Sequence, residues 1–143
     1  MLKMKKLREN AKVPQYATSG SAGLDLSACI DEPLTLKPQE RALVPTGLAV
    51  EIEAGKVGLV FARSGISIKK GIALSNGVGV IDSDYRGEIC CGLINLSNGV
   101  YVIQPGDRIA QIVITPYFCE EIMEVSELDE TKRADGGFGS SGR

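Results

Sequence analysis

Five short segments of the chain concentrate residue types that do chemistry rather than pack. Ala22-Gly23-Leu24-Asp25-Leu26 sets one carboxylate between leucines, which suits a turn, an ion pair with an arginine, or a cation ligand. Ala62-Arg63-Ser64-Gly65 follows the apolar run Val57–Phe61 and offers a guanidinium fork, a hydroxyl and a closely approachable backbone. Those are the parts of an anion site, and equally of a surface turn with an incidental arginine. Asn76-Gly77-Val78-Gly79-Val80-Ile81-Asp82-Ser83-Asp84-Tyr85-Arg86-Gly87-Glu88 reads as two strand arms around a polar tip bearing two carboxylates, a tyrosine and an arginine. Such density exceeds what a turn needs. Its Asp-Ser-Asp lacks the helix pair and twelfth-position glutamate of an EF-hand. Pro105-Gly106-Asp107-Arg108-Ile109-Ala110-Gln111 turns on Pro-Gly-Asp and then alternates like a half-buried strand. In its plain structural reading Asp107 pairs with Arg108 and Gln111 faces solvent. The fifth segment, Arg133–Gly142, combines a cation, a lone aromatic at Phe138 and glycines whose backbone N–H groups could wrap phosphates. It is not a Walker loop, because no Gly-Lys-Ser/Thr follows a strand.

What is missing narrows the chemistry further. The 143 residues include no histidine, so a Ser-His-Asp triad, a Cys-His pair and a His-ligated zinc are all impossible. Acid–base work at neutral pH falls to carboxylates, Cys, Lys or Tyr, or to a metal ion. A net charge of −2 from 16 basic and 18 acidic residues argues against a general nucleic-acid binder. No apolar run approaches the roughly 18 residues of a membrane span. The start, MLKMKKLREN, is basic but no apolar core follows, so a cytoplasmic protein without a targeting segment is expected. Cys29, Cys90, Cys91 and Cys119 show no C-x-x-C spacing and read as reduced, mostly buried thiols. Cys90 and Cys91 are expected on opposite faces of one strand.

The elements that must position these segments are short. Apolar runs at Leu24–Ala28, Leu34–Leu36, Ala42–Ile52, Lys56–Ala62, Ile72–Leu74, Val78–Ile81, Glu88–Leu96, Val100–Ile103 and Arg108–Pro116 are separated by Gly, Pro, Asn and Asp. That pattern predicts an all-β sandwich or barrel. Asn98-Gly99 is the sharpest turn signal and predicts a type I′ hairpin. Only Gly65–Lys70 could form a helical turn. A single β domain is expected over residues 1–125. The remainder, 126–143, reads as a flexible Gly-rich tail, with four glycines in its last eight positions. It reads either as a disordered tail or, given the lone aromatic Phe138, as a lid. Ordering it would cost roughly 1–2 kcal/mol per residue, so something must bind an ordered tail to hold it still.

Taken in order, the five segments resemble the five motifs of the homotrimeric deoxyuridine triphosphatase (dUTPase) family, from about Ser21 to Gly142. The tail departs slightly, with Ala134 where the family often has Gly and Ser141 where Thr is common. The resemblance implies a jelly-roll-like β fold and Mg²⁺-dependent hydrolysis of dUTP to dUMP and pyrophosphate, which limits uracil in DNA and supplies dUMP for thymidylate synthesis. It implies that Asp82 orients and deprotonates the water attacking the α-phosphorus. Arg63, Ser64, Gly65 and Gln111 would hold phosphate oxygens. Asp25 would reach Mg²⁺ through water, the ion being held mainly by the triphosphate. Uracil would enter between Asn76–Ile81 and Glu88–Cys90, with Asn76, Gly79, Val80 and Ile81 at its Watson–Crick edge and Cys90 on the opposing arm. Tyr85 would pack under the deoxyribose and leave no room for a 2′-hydroxyl. Phe138 would cover the base, Arg133 the γ-phosphate, and Gly139 and Ser140 would donate to phosphate. The family's tail comes from a neighbouring subunit, so a homotrimer with shared active sites is expected. A dCTP deaminase and a non-catalytic nucleotide- or protein-binding β module are the alternatives. The Asp82–Tyr85 tip and the Gly-Phe-Gly tail fit them less well.

Overall fold

The structure is a computed structural model that describes residues 1–131 and Ala134. Eleven strands and one short helix are formed among them. In chain order they are β1 (Lys3–Lys6), β2 (Leu24–Ser27), β3 (Leu34–Leu36), β4 (Arg41–Pro45), β5 (Leu48–Glu51), β6 (Lys56–Phe61), α1 (Ser64–Lys70), β7 (Ile72–Leu74), β8 (Gly79–Ile81), β9 (Cys90–Asn95), β10 (Tyr101–Ile103) and β11 (Arg108–Pro116). A four-stranded sheet runs β2-β11-β6-β8, a three-stranded one β4-β9-β7, and two ribbons pair β1 with β5 and β3 with β10. Every pairing is antiparallel. The expected all-β class holds.

Alternation along the strands builds the core. In β9 every second residue is buried, and β2 and β6 follow the same rhythm. Leu26, Val60 and Ile112 from the large sheet join Val44, Cys91 and Leu93 from the smaller one, and Leu36, Val50 and Ile103 from the ribbons, in a single cluster. Burying each such aliphatic side chain contributes about 1.5–3 kcal/mol. Cys91 points into this core while Cys90, one residue earlier, is half-buried on the other face.

Three local readings of the sequence need correction. Asn98-Gly99 does not close a hairpin: β9 pairs with β4 and β7, whereas β10 pairs with β3, so the chain changes sheets there. Gly99 is also not among the residues at positive φ. The connection is organised instead by Asn95, fully buried, whose Nδ2 donates to the carbonyls of Leu36 and Gly99 while its Oδ1 accepts from Ser97. The apolar run Ala42–Ile52 breaks into β4 and β5 at Thr46-Gly47. Gly47 sits at φ 68°, and a Cβ there would lie 2.7 Å from both Ala11 Cβ and Cys29 Sγ. The basic N-terminal stretch, not singled out as a strand from its sequence, supplies β1. The helix starts at Ser64 rather than Gly65 and stops at Gly71, whose φ of 71° provides a left-handed cap.

Burial pushes the Cys91 thiol up from the ordinary 9.0 to about 12, with the neighbouring Cys90 adding to the shift. Above pH 9 the unfolded chain releases a proton that the fold retains. Stability therefore falls between about pH 9 and pH 12, by about 1.4 kcal/mol per pH unit for this group. Urea midpoints at pH 8 and pH 10.5 should show a smaller alkaline loss in Cys91→Ala than in the parent; equal losses would discount the effect.

Candidate active site

Asp25, Gln111 and Phe61 stand in one row across β2, β11 and β6. Just beyond the end of β6, Arg63 donates from Nε to Asp25 Oδ1 at 2.6 Å, and Arg108 donates from Nη1 to Oδ2 at 3.0 Å. Arg63 Nη1 also donates to the Arg108 carbonyl at 3.3 Å. Two cations thus share one half-buried carboxylate, which leaves a local positive charge suited to an anion. Gln111 Nε2 donates to the Ala62 carbonyl at 3.1 Å. A Cβ at Gly23 would come within 2.5 Å of Gln111 Oε1, so that glycine makes the room the amide occupies. Ser64 and Gly65 open α1 beside Arg63 and face solvent, with nothing close to Gly65. Asp25, Arg63, Ser64, Gly65 and Gln111 are therefore brought together.

Arg108 is a site residue that sequence reasoning missed. The sequence suggested a partner in adjacent Asp107, but Asp107 caps its own turn by accepting from Gln104 N. The register between β11 and β2 shifts between Arg108 and Ala110, a bulge that re-aims the arginine towards Asp25.

A second cluster lies around a cavity of about 270 Å³ lined by Leu43, Val80, Ile81, Asp82, Tyr85, Glu88 and Cys90. Its two walls belong to different sheets, because β8 pairs with β6 while β9 pairs with β4 and β7. The arms read as a hairpin are thus splayed, and the space between them is open. Asp82 is exposed, and its carbonyl accepts from Tyr85 N at 3.2 Å in the tip turn. Arg86 closes the tip by donating to the carbonyls of Ser83 and Tyr85. Asn76 is exposed at the head of the first arm, followed by Gly77 at φ 73°. Burial raises the Cys90 pKa, with Glu88 adding to the effect and Arg8 opposing it, so the thiol on this wall is neutral. Leu43 is a further lining residue that the sequence did not single out, and Glu88, expected only as the start of the second arm, also lines the cavity. A larger cleft of about 420 Å³ beside β1 and β5 contains none of the candidate residues except the tip's Arg86.

These clusters stand apart within one chain. From Asp25 itself to Ile81 is three strand spacings across the large sheet and three residues along the strands, or about 17 Å. Among the described residues no three His, Cys, Asp or Glu side chains converge on a metal position. Arg133, Phe138, Gly139 and Ser140 lie outside the described residues. Ala134 adopts φ 44°, a region glycine occupies without steric cost.

The family model for dUTPase matches residues 9–142. The chain belongs to the dUTPase family. It is 54% identical over 132 residues to the deoxyuridine 5'-triphosphate nucleotidohydrolase of Desulfitobacterium hafniense (strain DSM 10664 / DCB-2), covering 92% of this chain and 87% of that protein. Among solved structures it is similar to the dUTPase of Staphylococcus bacteriophage 80alpha with dUpNHpp, at TM-score 0.90 and 32% identity, covering 100% of this chain and 99% of the other. It is also similar to a variant of the dUTPase from phage phi11 of S. aureus, whose structure concerns coordination of a structural Mg(II) ion. There the TM-score is 0.82, the identity 30%, and the coverage 91% and 99%. For this dUTPase-family chain, all five motif segments lie within the matched span.

Proposed function

We propose that this chain hydrolyses dUTP to dUMP and pyrophosphate, by attack of water on the α-phosphorus. The observation that carries this reading is the splayed cavity between β8 and β9 with an exposed carboxylate, Asp82, at its rim, in a chain of this family. A pyrimidine fits between the arms, where Asn76 and the backbone of Gly79, Val80, Ile81 and Cys90 read its edge. Cytosine exchanges donor and acceptor there and leaves buried groups unpaired, which can discriminate by orders of magnitude. Tyr85 lies under the sugar. Asp82 orients the water and takes its proton. Arg63, Ser64, Gly65 and Gln111 hold phosphate oxygens, and positioning and electrostatics supply most of the rate.

Mg²⁺ bound with the triphosphate would draw charge off its oxygens. The donor set suits that role: Asp25, already engaged by two arginines, is placed to meet the ion's water shell rather than the ion, in keeping with its slow dehydration.

The active unit is a homotrimer of jelly-roll-like subunits. In support, about 17 Å separates Asp25 from Ile81 within a chain, and Arg63 and Asp82 leave the paired strands β6 and β8 at opposite ends, so Asp82 of one copy meets Arg63 of another. Residues 116–131 lie fully on the surface and carry Phe118, Ile122, Met123 and Leu128 with most of their area exposed, an apolar load that fits docking on a neighbour. The tail that follows brings Arg133, Phe138, Gly139 and Ser140 to the bound nucleotide. We place the enzyme in the cytoplasm; no helix among the described residues is long and apolar enough to cross a membrane.

Pyrophosphate release measured with dUTP, dCTP, dTTP and UTP, with and without Mg²⁺, tests the reading. Turnover of dUTP alone, dependent on Mg²⁺, is expected. Ammonia release from dCTP would assign the chain to the deaminases instead.

A further inference from the structure

We propose that Gly87 and Glu88 are specificity-determining residues that set the preference for deoxyribose by fixing the Tyr85 ring. This rests on the reading that Tyr85 forms the floor under the sugar. The ring belongs to a loop and is 43% exposed, a setting in which a tyrosine ordinarily samples several rotamers. Excluding one hydroxyl demands much tighter placement.

The structure supplies that placement from the two residues that follow the tip. Tyr85 Oη donates to the Glu88 carbonyl at 3.0 Å, bending the ring back over Gly87. A Cβ at Gly87 would collide with Tyr85 Oη and would lie 2.6 Å from Cζ and 3.0 Å from Cε2. Any side chain there evicts the ring. Gly87 is not among the glycines at positive φ, so the position demands space rather than an unusual backbone, and alanine tests the space alone.

The carbonyl that anchors the ring is itself held. Glu88 Oε1 accepts from Gly47 N at 2.8 Å, and Oε2 lies 3.7 Å from Arg8. The next residue, Ile89, is fully buried. Its N–H donates to Leu48 O, and its carbonyl accepts from both the N–H and the hydroxyl of Thr46. The floor of the sugar pocket is thereby tied to the β4–β5 corner.

The test is the ratio of kcat/KM for dUTP over UTP, with dUTP over dCTP as a second ratio, in Tyr85→Leu, Gly87→Ala, Glu88→Ala and Glu88→Gln. Gly87→Ala should lower the dUTP:UTP ratio by about tenfold or more, mainly through KM, while the dUTP:dCTP ratio set by the base-reading arms is kept. Glu88→Ala should shift the ratio the same way by less. Glu88→Gln should restore it, since an amide oxygen still accepts from Gly47. An unchanged dUTP:UTP ratio in Tyr85→Leu would remove the sugar-floor reading itself. A changed ratio in Tyr85→Leu with an unchanged one in Gly87→Ala would overturn this inference alone. So would loss of both ratios together in Gly87→Ala, which marks general collapse of the pocket.

Discussion

Asp82→Asn should bind dUpNHpp at least as tightly as the parent enzyme while kcat for dUTP falls by about 10²–10⁴. The amide keeps the size of the carboxylate and can still hydrogen-bond a water, but it cannot accept that water's proton. It also removes a negative charge from beside the phosphates, which favours the ground-state complex. Steady-state pyrophosphate release and a calorimetric titration separate the two effects. Turnover within tenfold of the parent would take the general-base role away from Asp82. Among the described residues no other carboxylate lines that cavity except Glu88, whose oxygens are committed to Gly47 and Arg8.

The second large effect is a gain. Arg63→Ala and Asp82→Asn chains should each be nearly inactive alone. Co-refolded in equal amounts, they should recover about one quarter of parental activity, because random assembly pairs an intact Asp82 with an intact Arg63 from its neighbour at one site in four. The expected recovery rests on the proposed shared site: Arg63 follows β6 and Asp82 follows β8, paired antiparallel strands that end in opposite directions. Activity no greater than the mean of the two parents would show that each chain holds a complete centre. The Arg63→Ala partner must be checked for fold by circular dichroism, since removing that guanidinium leaves Asp25 with Arg108 alone.

The class of the fold was legible because binary alternation and turn residues are local signals. Leu24–Ser27, Ile72–Leu74 and Cys90–Asn95 announce themselves by which residues are apolar. The pairing of strands was not legible. No two strands adjacent in sequence pair with one another here, so the rule that Asn-Gly closes a hairpin, sound for local ribbons, led to the wrong connection at Asn98-Gly99. The stretch Lys3–Lys6 escaped notice because lysine is a poor strand former, and only the partner strand at Leu48–Glu51 makes it one. In the candidate site, residues with distinctive chemistry, such as Asp25, Arg63, Asp82 and Tyr85, stood out by type. Arg108, Leu43 and Glu88 did not, because their part depends on a bulge, on an exposed sheet face and on a contact 41 residues away.

The same non-local pairing governs how the molecule can be made. β2 waits for β11 as its partner, β1 for β5, β3 for β10, and β6 needs both β8 and β11. A ribosome must therefore deliver the chain through Pro116 before the largest sheet can close. Until then the emerging segment holds unpaired backbone edges and apolar faces that have nothing to cover them. Closure of the largest sheet is thus late and slow by topology rather than by size, and the interval before β11 emerges is its vulnerable one.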